Sequence, residues 1–319
     1  MVISAYNSAA SAVKFFNMKN KSLVSINDYS KEEQLKILEV AQEFEKKPVQ
    51  TILQDYVVAS LFFEPSTRTR LSFESAVNRL GGKVIGFSEA TNTSVKKGES
   101  LRDTILTIAN YSDLIVMRNP VEGSARFASE ISPVPIINAG DGANQHPTQT
   151  LLDLYSIQKT QGTLDNLHVA LVGDLKYGRT VHSLVIAMCN FNTTFHLISP
   201  LELKLPSSVK MHIKEKNLSY FQYTEMNEVF SHADILYMTR IQRERFSDPL
   251  EFERIKNSYI LHKDMIANTK DSFKVLHPLP RVNEIDIQVD SSEKAYYFEQ
   301  ALNGVYVRQA LMALILGLR

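Results

Sequence analysis

Tyr56-Val57-Val58-Ala59-Ser60-Leu61-Phe62-Phe63-Glu64-Pro65-Ser66-Thr67-Arg68-Thr69-Arg70 begins as a continuous apolar, β-branched and aromatic run and then turns abruptly polar. A run of that length without alternation reads as a strand buried on both faces. Proline and hydroxyl residues make the turn, and Phe73, Ala76, Val77 and Leu80 then keep helical spacing until Gly81-Gly82 stops it. The unit is strand, polar loop, helix. It recurs at 114–117 and at 134–137, the latter leading through a polar loop into a helix containing Leu151-Leu152-Asp153-Leu154-Tyr155. Upstream, Ser30-Lys31-Glu32-Glu33 is a capping box that opens a helix with Leu35, Leu38, Ala41 and Phe44 on its apolar side.

After Gly162 the alternation starts again. Strand-like runs at 168–172, 194–198, 235–238 and 274–276 are separated by polar loops and helical patterns, the clearest helix being 179–188. Alternating strands and helices specify parallel sheets covered on both faces. The expected fold class is α/β: two doubly wound parallel-sheet domains with the active site in the cleft between them. The expected division is 1–148, 149–304, and a last helix, 305–319, that is apolar on most sides and packs back on the first domain.

Composition narrows the function. The 319 residues carry 35 Lys+Arg against 35 Asp+Glu, a formal net charge of zero, whereas polyanion binders usually carry a clear basic excess. Nucleic acid and anionic membrane surfaces are therefore not expected partners. One cysteine, Cys189, forbids an intramolecular disulfide framework. No run of about 18 apolar residues marks a membrane span, so a cytoplasmic location is the expectation.

In open α/β sheets, ligands bind beyond the carboxyl ends of the strands, where helix N-termini present free N–H groups. The loop 64–70 offers Ser66, Thr67 and Thr69 hydroxyls together with the planar cation of Arg68, a phosphate cradle without a Gly-rich loop. Its bland alternative is an ordinary helix cap with surface arginines. Further strand-end loops carry Arg118, then His146-Pro147-Thr148-Gln149, then Arg179 behind Gly178, then Arg240 and Gln242, and finally His277-Pro278-Leu279-Pro280-Arg281. A lone histidine is more often a structural hydrogen-bonder than a functional group, and the charge run Arg243-Glu244-Arg245 reads as a solvated face. No zinc or calcium ligand spacing, G-x-S-x-G elbow, Walker A or G-x-G-x-x-G occurs. What remains is a cation-rich site suited to small anions and to acyl or phosphoryl transfer.

Phe62 to Arg70, the 146–149 and 277–281 turns, Val172 to Thr180 and Tyr237 to Gln242 together resemble the aspartate/ornithine carbamoyltransferase family, over nearly the whole chain and in order. The resemblance implies carbamoyl phosphate and L-aspartate as substrates, N-carbamoyl-L-aspartate and phosphate as products, pyrimidine synthesis as the context, and no cofactor or metal. It implies that Ser66, Thr67, Arg68 and Thr69 hold the phosphate and that Thr69, Arg118 and His146 donate to the carbamoyl oxygen. Gln149 and the carbonyls around Leu279 and Pro280 would hold the carbamoyl amide, and Arg179, Arg240 and Gln242 the aspartate carboxylates. Ser94 and Lys97 would reach into a neighbouring subunit's site, implying a homotrimer, to which a separate regulatory chain could add.

Two rivals stand beside this reading. Ornithine-using relatives typically carry Cys directly after the histidine of the late turn, where Pro278 stands here. A non-catalytic relative that binds carbamoyl phosphate would have lost a key side chain, and none is lost.

Overall fold

The structure is a computed structural model and describes residues 17–88, 98–241, 249–255 and 259–319. Its first half runs α1 (Lys31–Lys46), β1 (Val57–Phe62), α2 (Thr67–Arg79), β2 (Lys83–Phe87), α3 (Leu101–Ala109), β3 (Leu114–Asn119), α4 (Ser124–Ile131) and β4 (Ile136–Asp141). The connecting helix α5 (Pro147–Gln161) leads to β5 (His168–Val172), α6 (Arg179–Met188), β6 (Thr194–Ile198), α7 (Ser207–Glu215), β7 (Tyr220–Tyr223) and β8 (Ile235–Met238). The chain closes with α8 (Pro249–Ile255), β9 (Lys274–Leu276) and α9 (Tyr297–Ile315).

Both sheets are wholly parallel, in the orders β2-β1-β3-β4 and β7-β6-β5-β8-β9. In the first, the chain leaves β1 toward one side and returns on the other at β3. The second does the same between β5 and β8. At such points adjacent loops diverge and leave a crevice beyond the strand ends. Register decides which residues meet there. Phe62 pairs with Arg118, which sets Arg118 beside the loop after β1, and Val172 pairs with Met238, which sets the loop before Arg179 beside Arg240.

The strands alternate between two apolar layers, as parallel strands covered on both faces must. Val58, Val116 and Ile137 of the first sheet share one continuous core with Val169, Leu171 and Tyr237 of the second, and residues of α5 and α9 lie in that same core. The outer faces have separate clusters, around Ala59, Leu61 and Met117 in one case and Val172, Leu236 and Val275 in the other. The inner faces thus share one core across the two sheets. Ser30 caps α1 with a full capping box, accepting from the Glu33 N–H while the Glu33 side chain accepts from the Ser30 N–H.

Four elements differ from the sequence expectation. β4 starts at Ile136, two residues after the expected strand, and ends at Asp141. β2 and β7 arise from segments not read as strands. Both are sheet edges with largely exposed side chains, so they lack the continuous apolar run that marks the central strands. α9 begins at Tyr297, eight residues before the expected start, because Gln300 and Asn303 are buried as hydrogen-bonded groups. It packs on α1, α2 and α5. Among the described residues, no helix is long and apolar enough to cross a membrane.

Candidate active site

A cavity of about 750 Å³ opens where the strand-end loops of the two sheets face each other. Its wall includes Ser66, Thr67, Arg68 and Thr69 from the start of α2, Arg118 from the end of β3, His146 and Gln149 from the start of α5, Arg179 from α6, Arg240 from the loop after β8, and Leu279 and Pro280. The structure brings these sequence-selected residues together. Ser94, Lys97 and Gln242 lie outside the described residues.

The first turns of three helices face this space without side-chain caps. Ser66, His146 and Gly178 hold the N-cap positions of α2, α5 and α6, and none makes a side-chain cap bond. The ordinary-cap explanation for Ser66 therefore fails. Gly178 does make a close approach, but to the chain itself, since a Cβ there would stand 2.5 Å from the Asp174 carbonyl oxygen. Asp174 shapes that loop by accepting from the N–H groups of Lys176 and Tyr177 at 3.1 and 2.9 Å. Thr239 ties it to the β8 loop, accepting from the Asp174 N–H at 3.1 Å and donating to the Val172 carbonyl at 2.7 Å. Those bonds hold the loop that leads into Arg179 against the loop that carries Arg240.

Positive charge is concentrated here. Burial, together with the like charges of Arg118 and Arg240, lowers the pKa of Arg68. Burial, then Arg179, Arg118 and Arg308, hold His146 well below the usual imidazole range, so its ring is neutral. Arg118 donates from Nε to Glu64 at 2.6 Å, and Arg179 donates to the Gly142 carbonyl. A chain with no net charge thus presents a cationic cleft, because charge distribution and charge sum are independent.

Sequence reasoning missed several contributors. Gly140, at φ +125°, lies where a Cβ would meet the Arg179 Nη2 at 3.3 Å and the Arg118 Nη1 at 3.4 Å. It sits in an irregularity of the β3–β4 register opposite Arg118, a device that re-aims side chains at sites. Its signal was the Gly140-Asp141-Gly142 cluster at a strand end. Arg308, 3 % exposed, reaches the cavity from inside α9. Its Nη1 donates to Ser72 at 2.8 Å, its guanidinium lies 4.8 Å over the Phe73 ring, and burial lowers its pKa to about 10 against the pull of Asp153. An arginine within the largely apolar stretch 305–316 was the available signal.

The late turn is braced by a buried pair. The Leu279 N–H donates to the His277 Nδ1 at 2.7 Å, so the ring proton resides on Nε2 and is donated to Glu284 at 2.8 Å. Glu284, although burial pushes it up, is held below the usual carboxylate range by His277 and by the Val282 N–H. Leu279 itself has φ +55°, a left-handed conformation that a branched side chain adopts only when its surroundings impose it. Among the described residues no group of three or more His, Cys, Asp or Glu could hold a metal ion.

Opposed cations, uncapped helix starts and hydroxyls at two sheet switch points define a site for small, multiply charged anions. Family comparison agrees. Residues 21–159 match the aspartate/ornithine carbamoyltransferase carbamoyl-phosphate-binding domain, and residues 165–315 match the Asp/Orn-binding domain. The chain belongs to the aspartate/ornithine carbamoyltransferase family. It is 62 % identical over 302 residues to the aspartate carbamoyltransferase catalytic subunit of Bacteroides fragilis, covering 94 % of this chain and 98 % of the relative. Its fold matches the catalytic subunit of M. jannaschii aspartate transcarbamoylase at a TM-score of 0.88, with 49 % identity over 93 % of this chain and 98 % of that one. It also matches Trypanosoma cruzi aspartate transcarbamoylase in complex with carbamoyl phosphate and aspartate, at a TM-score of 0.89 and 35 % identity, covering 94 % and 98 %.

Proposed function

We propose that the cleft transfers the carbamoyl group of carbamoyl phosphate to the α-amine of L-aspartate, giving N-carbamoyl-L-aspartate and phosphate as a step of pyrimidine synthesis. One observation carries this: Arg68, Arg118, His146, Arg179 and Arg240, from five strand-end loops of two sheets, line a single cavity. The first three, with Ser66, Thr67 and Thr69, serve carbamoyl phosphate, and the last two serve the aspartate carboxylates. Two guanidiniums on the acceptor side suit a dicarboxylate better than a diamino acid.

In this mechanism the deprotonated amine attacks the carbamoyl carbon, forming a C–N bond and a tetrahedral oxyanion. Its collapse breaks the bond from that carbon to the phosphate oxygen, and the proton shed by the attacking nitrogen leaves on the phosphate. Thr69, Arg118 and neutral His146 donate to the oxyanion, and Arg68 and the hydroxyls take the charge on the leaving phosphate. Each well-aimed oxyanion donor contributes about 3 to 4 kcal/mol, and holding the two reactants together adds more. Gln149 and the Leu279 and Pro280 carbonyls hold the carbamoyl NH₂.

We further propose a domain division at 148/149, with 305–319 returning to the first domain, and a cytoplasmic homotrimer in which Ser94 and Lys97 serve a neighbour's site. Support for the trimer is the motif resemblance. The deciding experiment assays purified protein for carbamoyl phosphate-dependent product with aspartate and with ornithine. Product from aspartate alone is expected. Product from ornithine alone would move the chain to the other branch, and product from neither would sink the enzymatic reading.

A further inference from the structure

Asp153 is fully buried on α5, one helical turn after Gln149. Residues at i and i+4 share a helix face, so its carboxylate lies directly beneath the Gln149 side chain. Three donors converge on it. Gln149 Nε2 donates to Oδ1 at 2.8 Å, Gln300 Nε2 from α9 donates to the same oxygen at 2.6 Å, and the Tyr237 hydroxyl from β8 donates to Oδ2 at 2.8 Å. Gln300 is fixed at both ends, because its Oε1 also accepts from the His277 N–H at 2.8 Å. Among the described residues Gln149 has a partner at its nitrogen and none at its oxygen. The oxygen end is on the cavity side, since Gln149 lines the cavity while its nitrogen is turned away into the carboxylate.

An amide presents opposite chemistry at its two ends, a donor at nitrogen and an acceptor at oxygen. Asp153 accepts at both oxygens, Oδ1 from the Gln300 nitrogen and Oδ2 from the Tyr237 hydroxyl, so its ionised form takes the Gln149 nitrogen and repels the oxygen, which disfavours the flipped amide. We propose that Asp153 is a positioning residue that holds the Gln149 carbonyl oxygen toward the cavity, so that the site selects an acyl phosphate bearing N–H over one bearing a methyl group in the same place. This rests on the reading of the cavity as a carbamoyl phosphate pocket. A site built to hydrogen-bond an N–H rejects the analogue lacking it more strongly than an apolar pocket separates two shapes.

Binding of two unreactive probes tests this without turnover. Phosphonoacetamide and phosphonoacetone differ only by NH₂ against CH₃, and each has CH₂ in place of the bridging oxygen. Calorimetry on the wild-type protein should show at least about tenfold preference for the amide. Asp153→Leu should bring the two affinities to within about threefold while leaving inorganic phosphate affinity unchanged. Asp153→Asn, which can keep its oxygen toward both glutamines, should retain the preference. Equal binding of both probes by the wild type overturns the inference, needs no variant, and leaves the pocket reading standing. An unchanged preference in folded Asp153→Leu, or its loss in Asp153→Asn, also overturns it. Binding of neither probe removes the pocket reading and the inference together.

Discussion

His146 and His277 each precede a proline, each follows a parallel strand, and each is almost fully buried, yet their surroundings are opposite. His277 uses both ring nitrogens within the protein, accepting from Leu279 and donating to Glu284. His146 faces three arginines, and among the described residues the one hydrogen-bonding contact of its ring is Thr148 Oγ1, 3.5 Å from Nδ1, with none at Nε2. One imidazole is spent on holding a turn. The other keeps a nitrogen for something outside the protein. Burial alone therefore does not separate a brace from a donor, and the partner count does.

The largest break in that contrast should come from His146→Ala, which should lower kcat about 100- to 1,000-fold with little change in the urea midpoint. The pH–rate profile should keep both limbs, since a neutral donor contributes no titration near its ordinary range. Arg68→Ala should behave alike, losing turnover far more than stability. His277→Ala should reverse the pattern, costing about 3 kcal/mol in urea unfolding by leaving Glu284 buried without its partner. Turnover should fall secondarily as the Leu279 turn loosens. Glu284→Gln should cost less, about 1 to 2 kcal/mol, because one amide group would then face the Val282 and Asn283 N–H donors with a donor of its own.

A smaller effect concerns pH and sharpens the comparison by sign. Both histidines have lowered pKa values, so the stability they confer is present above the ordinary imidazole pKa of 6.5 and is lost as pH falls through the folded values. Asp153 goes the other way. Burial raises it to about 7, so its contribution is present below 3.8 and is lost as pH rises through about 7. Asp153→Asn should flatten that decline, by on the order of 4 kcal/mol between acid and neutral pH, as measured by denaturation at a series of pH values.

The central strands were legible because parallel strands covered on both faces have to be apolar without interruption, as at 57–62 and 168–172. The loops after them followed from where such sheets bind ligands, and so Arg68, Arg118, Arg179 and Arg240 could be selected by position. Asp153 and Arg308 could not. Each sits within a helical apolar stretch, and a polar residue there looks the same in sequence whether solvent or a buried partner receives it. What makes them part of the site is a neighbour far along the chain: Gln300 for Asp153 and Ser72 for Arg308. The shared core was hidden for the same reason, since each half has a full strand–helix alternation and only packing shows that the inner faces meet.

α9 packs on α1 and α2, and the Asn20 N–H donates to the Ile315 carbonyl at 2.8 Å, so the two ends of the described chain are stitched together. During synthesis the first sheet emerges long before the helix that covers its inner side. Until residues 297–315 leave the ribosome, the apolar faces of α1 and α2 have no lid, and the nascent first half carries exposed hydrophobic surface for most of translation. Completion of this core thus waits on residues 297–315, and contacts of such large sequence separation are of the kind that form slowly.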